Sequence, residues 1–134
     1  MSERFERGEA RLAELDPTLQ RGIEKGLAPI APDFARYMIE FGFGDIYARP
    51  GLDLKQRQLV TMAALAALGH PQRQLSGHIR AALNVGLTPN EITEALMQVA
   101  LYAGFPAALN ALLNAKAVFA ERGVSLQTEP DGDR

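Results

Sequence analysis

Histidine is the side chain best suited to moving a proton near neutral pH, and this sequence has two, His70 and His78. It has no cysteine, which removes thiol nucleophiles, disulfides and cysteine metal ligands together. His70 sits in Gly69-His70-Pro71, a tight stop between two helical stretches. His78 sits within a helix expected from Pro71 to Val85. At about 100° per residue, Leu75, Ile79 and Ala82 mark the centre of that helix's apolar stripe. His78 falls on the flank of the stripe, in line with Pro71, Gln74 and Val85, while Arg73 and Arg80 fall on the solvent side. A histidine at such an edge can be half-buried, with a pKa suited to acid/base work. It can equally be a boundary residue that only makes a local hydrogen bond.

The remaining chemistry-bearing positions are fewer. Glu91, Gln98 and Tyr102 are spaced i, i+7, i+11 along one helix. Glu91 fits a helix cap, whereas Gln98 and Tyr102 are polar groups in apolar surroundings, either a pocket lining or an interhelical hydrogen bond. Arg49 and Arg57 are the best cations to meet a carboxylate, although Arg57 could instead close a salt bridge at a helix end. No HxxxH, HExxH or paired-carboxylate spacing occurs, so no metal site is expected. There is no GxSxG and no P-loop, and Gly42-Phe43-Gly44 lacks the third glycine and the preceding strand of a dinucleotide fingerprint.

The elements that must position these residues are helices. No sustained alternation of apolar and polar residues signals a strand, whereas helix punctuation is frequent. Asp16-Pro17 predicts a helix to about Leu27. Ala31-Pro32-Asp33 predicts another, with Phe34, Tyr37, Met38 and Phe41 on one face until Gly42 and Gly44. Asp53 and Gln56 form a capping box before a run to Leu68. The run LVTMAALAAL, Leu59 to Leu68, is apolar all round and predicts burial on all sides. Gly86 is a good residue to end the His78 helix. Thr88-Pro89-Asn90-Glu91 opens a helix to about Ala103, and Gly104-Phe105-Pro106 turns into a last helix ending near Arg122-Gly123. The short loops predict a compact antiparallel bundle of about six helices, an all-α fold in a single domain over residues 1–126, with 127–134 as a disordered tail.

Composition narrows the function classes. The chain has 134 residues, 47% of them hydrophobic and 22% charged, which fits one globular domain. Its formal net charge of −2 argues against nucleic acid as a partner and against a polybasic membrane surface. Leu96 to Ala115 is apolar-rich, but Gln98, Asn110, Asn114 and the Gly104-Phe105-Pro106 break rule against a spanning helix. No apolar leader is visible near the N-terminus, so a cytoplasmic protein is expected. In the Thr88 helix, Ile92, Leu96 and Val99 form one stripe while Met97 and Leu101 point elsewhere, which predicts a homo-oligomer interface.

The motifs together resemble a known family. Gly44-Asp45-Ile46-Tyr47-Ala48-Arg49-Pro50-Gly51-Leu52 is followed by Arg57-Gln58-Leu59-Val60-Thr61. Then come Gln74-Leu75-Ser76-Gly77-His78-Ile79, Gly86-Leu87-Thr88-Pro89-Asn90-Glu91-Ile92 and Tyr102-Ala103-Gly104-Phe105-Pro106-Ala107-Ala108. This series, from roughly Phe34 to Glu121, is similar to the γ-carboxymuconolactone decarboxylases. The resemblance implies an all-α fold like that of alkyl hydroperoxidase D, assembled as trimers or hexamers. It also implies decarboxylation of a carboxymuconolactone to an enol-lactone in aromatic catabolism, without cofactor or metal, with His78 as the general acid/base. The hydroperoxidase branch carries a CxxC before that histidine; Pro71 and Gln74 stand at those positions here, which excludes disulfide-linked peroxide reduction. Gln74 also stands where decarboxylases of the family tend to have glutamate. The expected substrate is a small carboxylate, with Arg49, Arg57, Gln74, Gln98 and Tyr102 as candidate binding residues. A catalytically silent helical oligomer that binds a ligand or partner is the competing expectation.

Overall fold

The computed structural model describes residues 1–126, and the expected tail lies outside the described residues. Among these the fold is all-helical, without a strand. The backbone packs as two compact units, the first Met1–Arg57 and the second from Gln58 onward.

The first unit opens with a helix that the sequence reading passed over. Helix α1, Glu3–Leu15, is capped by Ser2, whose hydroxyl accepts from the Phe5 amide at 3.1 Å. Its apolar positions, Phe5, Gly8, Leu12 and Leu15, recur at helical spacing and are buried. The charged residues between them masked that stripe. Asp16 ends α1 rather than starting the next helix: its carboxylate accepts from the Thr18 amide and hydroxyl, and α2 runs Leu19–Leu27. Helix α3, Pro32–Tyr37, continues without interruption into a π-helical segment, Met38–Ile46. The expected apolar face is not the packed one. Ala35, Ile39 and Phe43 are buried, while Phe34, Tyr37 and Phe41 are exposed. Phe34, Tyr37, Met38 and Phe41 do share one face, as their spacing predicts, but it is an open one, where they line a shallow groove with Gly42 and Phe43.

Helix α1 lies close against the π segment, and two glycines permit this. A Cβ on Gly8 would meet the Ile39 carbonyl oxygen, and one on Gly44 would meet the Arg4 carbonyl oxygen, both far inside van der Waals contact. Arg4 donates to both carboxylate oxygens of Asp45, at 2.8–3.1 Å, and Arg7 Nε donates to the Gly44 carbonyl at 3.2 Å.

The second unit is built from most of α4, Leu54–Leu68, with α5, Gln72–Asn84, α6, Pro89–Gln98, α7, Ala100–Ala103, and α8, Phe105–Arg122. Its core joins Met62 and Ala66 of α4 to Leu75, Ile79 and Ala82 of α5. Ile92 and Leu96 of α6 and Ala111, Ala115, Val118 and Phe119 of α8 complete it. Alanines at the α8 contacts leave room for close approach of α5 and α6. Polar ties span the same helices: Arg80 to Glu121, Arg122 to Asn84, and Asn114 to Gln72. The capping box Thr88/Glu91 forms as expected, and Gly86 and Gly123 take the left-handed backbone that ends α5 and α8. The helix expected from Thr88 to about Ala103 is broken at Val99 into α6 and α7.

Burial of α4 on all sides is not observed. Met62 and Ala66 are buried, whereas Val60, Ala64, Ala67 and Leu68 face outward. Among the described residues no helix is long and apolar enough to cross a membrane.

The Gly44 contact has a measurable consequence. Gly44→Ala should cost about 2–3 kcal/mol in urea unfolding, since the added carbon meets backbone that cannot rotate away. Gly22→Ala, in open space within α2, should instead stabilise by about 0.5–1 kcal/mol. Equal effects at the two positions would show that close approach is not what Gly44 provides.

Candidate active site

The Asp53/Gln56 capping box fixes where α4 begins. The Gln56 amide donates to Asp53 at 2.8 Å, and the Asp53 amide donates to Gln56 at 2.9 Å. This start places Gln58, Met62 and Ala66, spaced by four, along the buried face. Gln58 is 0% exposed and is the one buried polar or charged residue among those described. An amide taken out of water without partners costs several kcal/mol, about 2–7 depending on reference. Gln58 Nε2 lies 3.1 Å from the His78 carbonyl oxygen and 3.2 Å from His78 Nδ1.

His78 is half-buried on the flank of the α5 stripe, between the buried Leu75 and Ile79 and the partly exposed Arg80, as the helical geometry predicts. Burial pushes its pKa below the ordinary histidine value, because a shielded imidazolium loses hydration. Sequence reasoning missed Gln58 as its partner. The signal was present: a lone glutamine in register with Met62 and Ala66 on an otherwise apolar face must find a partner when buried.

The other predicted residues fall into separate groups. Arg57 Nη2 donates to the Arg49 carbonyl at 2.9 Å, so the two arginines are neighbours, though the Arg49 side chain itself is exposed. Among the described residues Arg57 makes this backbone contact and not the helix-end salt bridge that was the alternative. Its buried Nε has no hydrogen-bond partner among the described residues. Gln98 and Tyr102 line an apolar groove with Leu59, Val60, Ala63 and Ala95. The lining does not include His78. Tyr102 is 86% exposed, so it borders the groove rather than bonding between helices. Gln74 is exposed on α5. Among the described residues no three histidine or carboxylate side chains converge as metal ligands would.

The sequence model of the Carboxymuconolactone decarboxylase family matches residues 32–117. The chain belongs to this family. It is 40% identical to a 4-carboxymuconolactone decarboxylase of Acinetobacter baylyi over 93 residues, 69% of each chain. It is 33% identical to an uncharacterized 15.0 kDa protein of Paracoccus denitrificans over 117 residues, covering 85% of this chain and 86% of that one. It is also 39% identical to a nitrosuccinic acid decarboxylase of Metarhizium robertsii over 75 residues, 55% of this chain and 51% of that one. The family match spans both histidines, both candidate arginines and Gln58, but leaves α1 and α2 outside it.

The depressed pKa of His78 ties folding to pH. Above about 6.5 the ring is neutral in folded and unfolded chains alike, and the native state carries no penalty. As pH falls below that value the unfolded chain takes up a proton that the native ring resists, so stability falls. An NMR titration of the ring protons should place the His78 midpoint below 6.5. In urea unfolding, the wild type should lose more stability between neutral and mildly acidic pH than His78→Gln. A midpoint at or above the ordinary value would remove burial as the controlling influence.

Proposed function

We propose that this protein is a decarboxylase of small dicarboxylic acids, and that a carboxymuconolactone is the leading substrate. The observation that carries this reading is the 40% identity to a protein named as a 4-carboxymuconolactone decarboxylase, across the segment that holds His78. The second named relative acts on nitrosuccinic acid, a different skeleton with related electronics. In either compound the departing carboxylate sits on a carbon whose electron pair can delocalise onto oxygen, of a lactone carbonyl or of a nitro group. Each also keeps a second carboxylate.

In the proposed reaction the bond from the γ-carbon to the carboxylate breaks and CO₂ leaves. The bonding pair passes through the ring double bond onto the lactone carbonyl oxygen. One proton then adds at carbon, giving the enol-lactone with no net oxidation or reduction. Such a path calls for a donor at the carbonyl oxygen and for a proton source. His78 is assigned the acid/base role. Arg57 is preferred over Arg49 as anchor of the spectator carboxylate, because its buried Nε still needs an acceptor. Gln98 and Tyr102 are assigned to polar lining, and Gln74, exposed on α5, to the outer edge of substrate contact.

We also propose a homo-oligomer. Leu101, Tyr102 and Phe105 are 78%, 86% and 81% exposed, with Val60, Leu68 and Met97 also open. Exposed apolar side chains in this number usually mark association. Light scattering at micromolar concentration should give a trimer or hexamer. A monodisperse species at 14.6 kDa would refute the assembly.

The catalytic assignment is tested by CO₂ release from carboxymuconolactone. His78→Gln should lower kcat by about 10²–10⁴-fold with the fold and assembly kept. Full turnover in a folded His78→Gln protein would take the histidine out of the mechanism. Absence of turnover in the wild type would favour another substrate or the silent-oligomer reading.

A further inference from the structure

We propose that Gln58 is a positioning residue that holds His78 as the neutral tautomer with its proton on Nε2, so that the ring offers substrate a hydrogen-bond donor rather than a base. The amide of a glutamine can usually be turned over, because its oxygen and nitrogen look alike. Here the turn is fixed by chemistry. The His78 carbonyl oxygen can only accept, so the atom 3.1 Å from it must be the NH₂ of Gln58. That same nitrogen lies 3.2 Å from His78 Nδ1 and has a second hydrogen to give. An Nδ1 that receives a hydrogen bond must present a lone pair, and a neutral imidazole with a bare Nδ1 carries its proton on Nε2.

The imidazolium fits this arrangement badly. Its Nδ1–H would point at the amide N–H, two donors facing each other. Gln58 cannot rotate to offer its oxygen without abandoning the His78 carbonyl. Charged neighbours do not reverse this. Arg80, on the same helix, is paired with Glu121 of α8 at 2.8 Å, Arg122 of α8 is held by Asn84, and Arg73 is exposed. Among the described residues no carboxylate acts on the ring; burial is the influence that moves its pKa.

The inference refines the decarboxylase reading: it keeps His78 at the reacting centre but replaces proton transfer by hydrogen-bond donation, and for the part that concerns substrate it rests on that reading. A neutral imidazole is a very weak acid, so its task is to donate a hydrogen bond from Nε2 to the lactone carbonyl oxygen as negative charge arrives there. The bond strengthens as the γ-carboxylate departs, and His78 keeps its proton throughout. Water supplies the proton that adds at carbon, and the hydroxide left behind combines with the released CO₂ as bicarbonate.

The test separates the two parts. Long-range ¹H–¹⁵N correlation on the wild-type protein, well above the ordinary histidine pKa of about 6.5, should show His78 with Nδ1 of the unprotonated type and Nε2 of the protonated type. Gln58→Glu places a carboxylate at Nδ1 and should raise the His78 midpoint by about one to three units. The acid limb of kcat/KM on carboxymuconolactone should move up with it, a change that loss of packing alone would not produce. Gln58→Leu should leave a mixture of tautomers. A wild-type spectrum with the proton on Nδ1 overturns the proposal even if no variant folds, and so does a midpoint unmoved in folded Gln58→Glu. If the lactone is not turned over at all, the substrate reading fails, while the ¹⁵N pattern still decides what Gln58 does.

Discussion

A primary amide cut off from solvent must use its hydrogens inside the protein, and Gln58 spends them on the backbone and ring of one residue, His78. Leaving such a group unpaired costs about 1–3 kcal/mol, which makes the contact a constraint on register. Slide α4 by one position and either Arg57 or Leu59 takes the place of the amide; leucine has no hydrogen to donate, and arginine would bring a charge to a fully buried position. The apolar contacts of Met62 and Ala66 tolerate small slips far better, since dispersion and burial are not directional. Hydrophobic burial therefore brings α4 to the core of the second unit, and the amide decides where along its length it stops. The same hydrogen bonds orient the imidazole, so one interaction serves both fold and site.

The first unit solves its packing by a different route. Where the second unit uses alanines to bring helices together, α1 meets the π segment through Gly8 and Gly44, with backbone against backbone. The ion pairs across that contact, Arg4 and Arg7 with Asp45, are open to solvent and add little beyond orientation. Removal of a side chain at two positions, rather than any strong attraction, sets the distance between these elements. The π turn fits that picture, because a widened helix directs carbonyls such as Ile39's toward a neighbour that has no Cβ to obstruct it.

Much of this was legible in the residues and some was not, for reasons that differ case by case. Thr88-Pro89-Asn90-Glu91 and Asp53 with Gln56 specify local hydrogen bonds, and local bonds survive whatever the rest of the chain does. His78 was placed correctly because its helix is regular and its stripe is narrow. Phe34, Tyr37, Met38 and Phe41 form the one face their spacing predicts, but apolar spacing does not say whether a face is covered, and α1 was overlooked because five charged residues separate its few buried ones. Apolar wrapping of α4 correctly showed that no face is polar, yet it could not tell a buried face from an exposed one. Gln58 illustrates the hardest class. Its importance lies in a partner twenty residues on, and a sequence records the need for a partner without naming it.

The proposed chemistry gives a reason for a neutral donor at this position instead of a cation. In decarboxylation negative charge begins on the carboxylate and ends on the acceptor oxygen. A fixed cation beside the departing group binds the ground state and loses its hold as the reaction proceeds, which lowers KM without lowering the barrier. A donor aimed at the acceptor oxygen gains strength as charge arrives, and a low-dielectric setting enlarges that gain. Burial of His78 and the amide on its Nδ1 both work in this direction: they suppress the imidazolium, which would attract either end of the substrate, and keep the directional Nε2–H. A permanent positive charge is still useful for a carboxylate that stays on the substrate throughout. Arg57, with its guanidinium partly buried and one N–H uncommitted, has the properties for that separate task. On this reading the division of labour between a neutral imidazole and a distinct arginine follows from where charge moves during the reaction and where it does not.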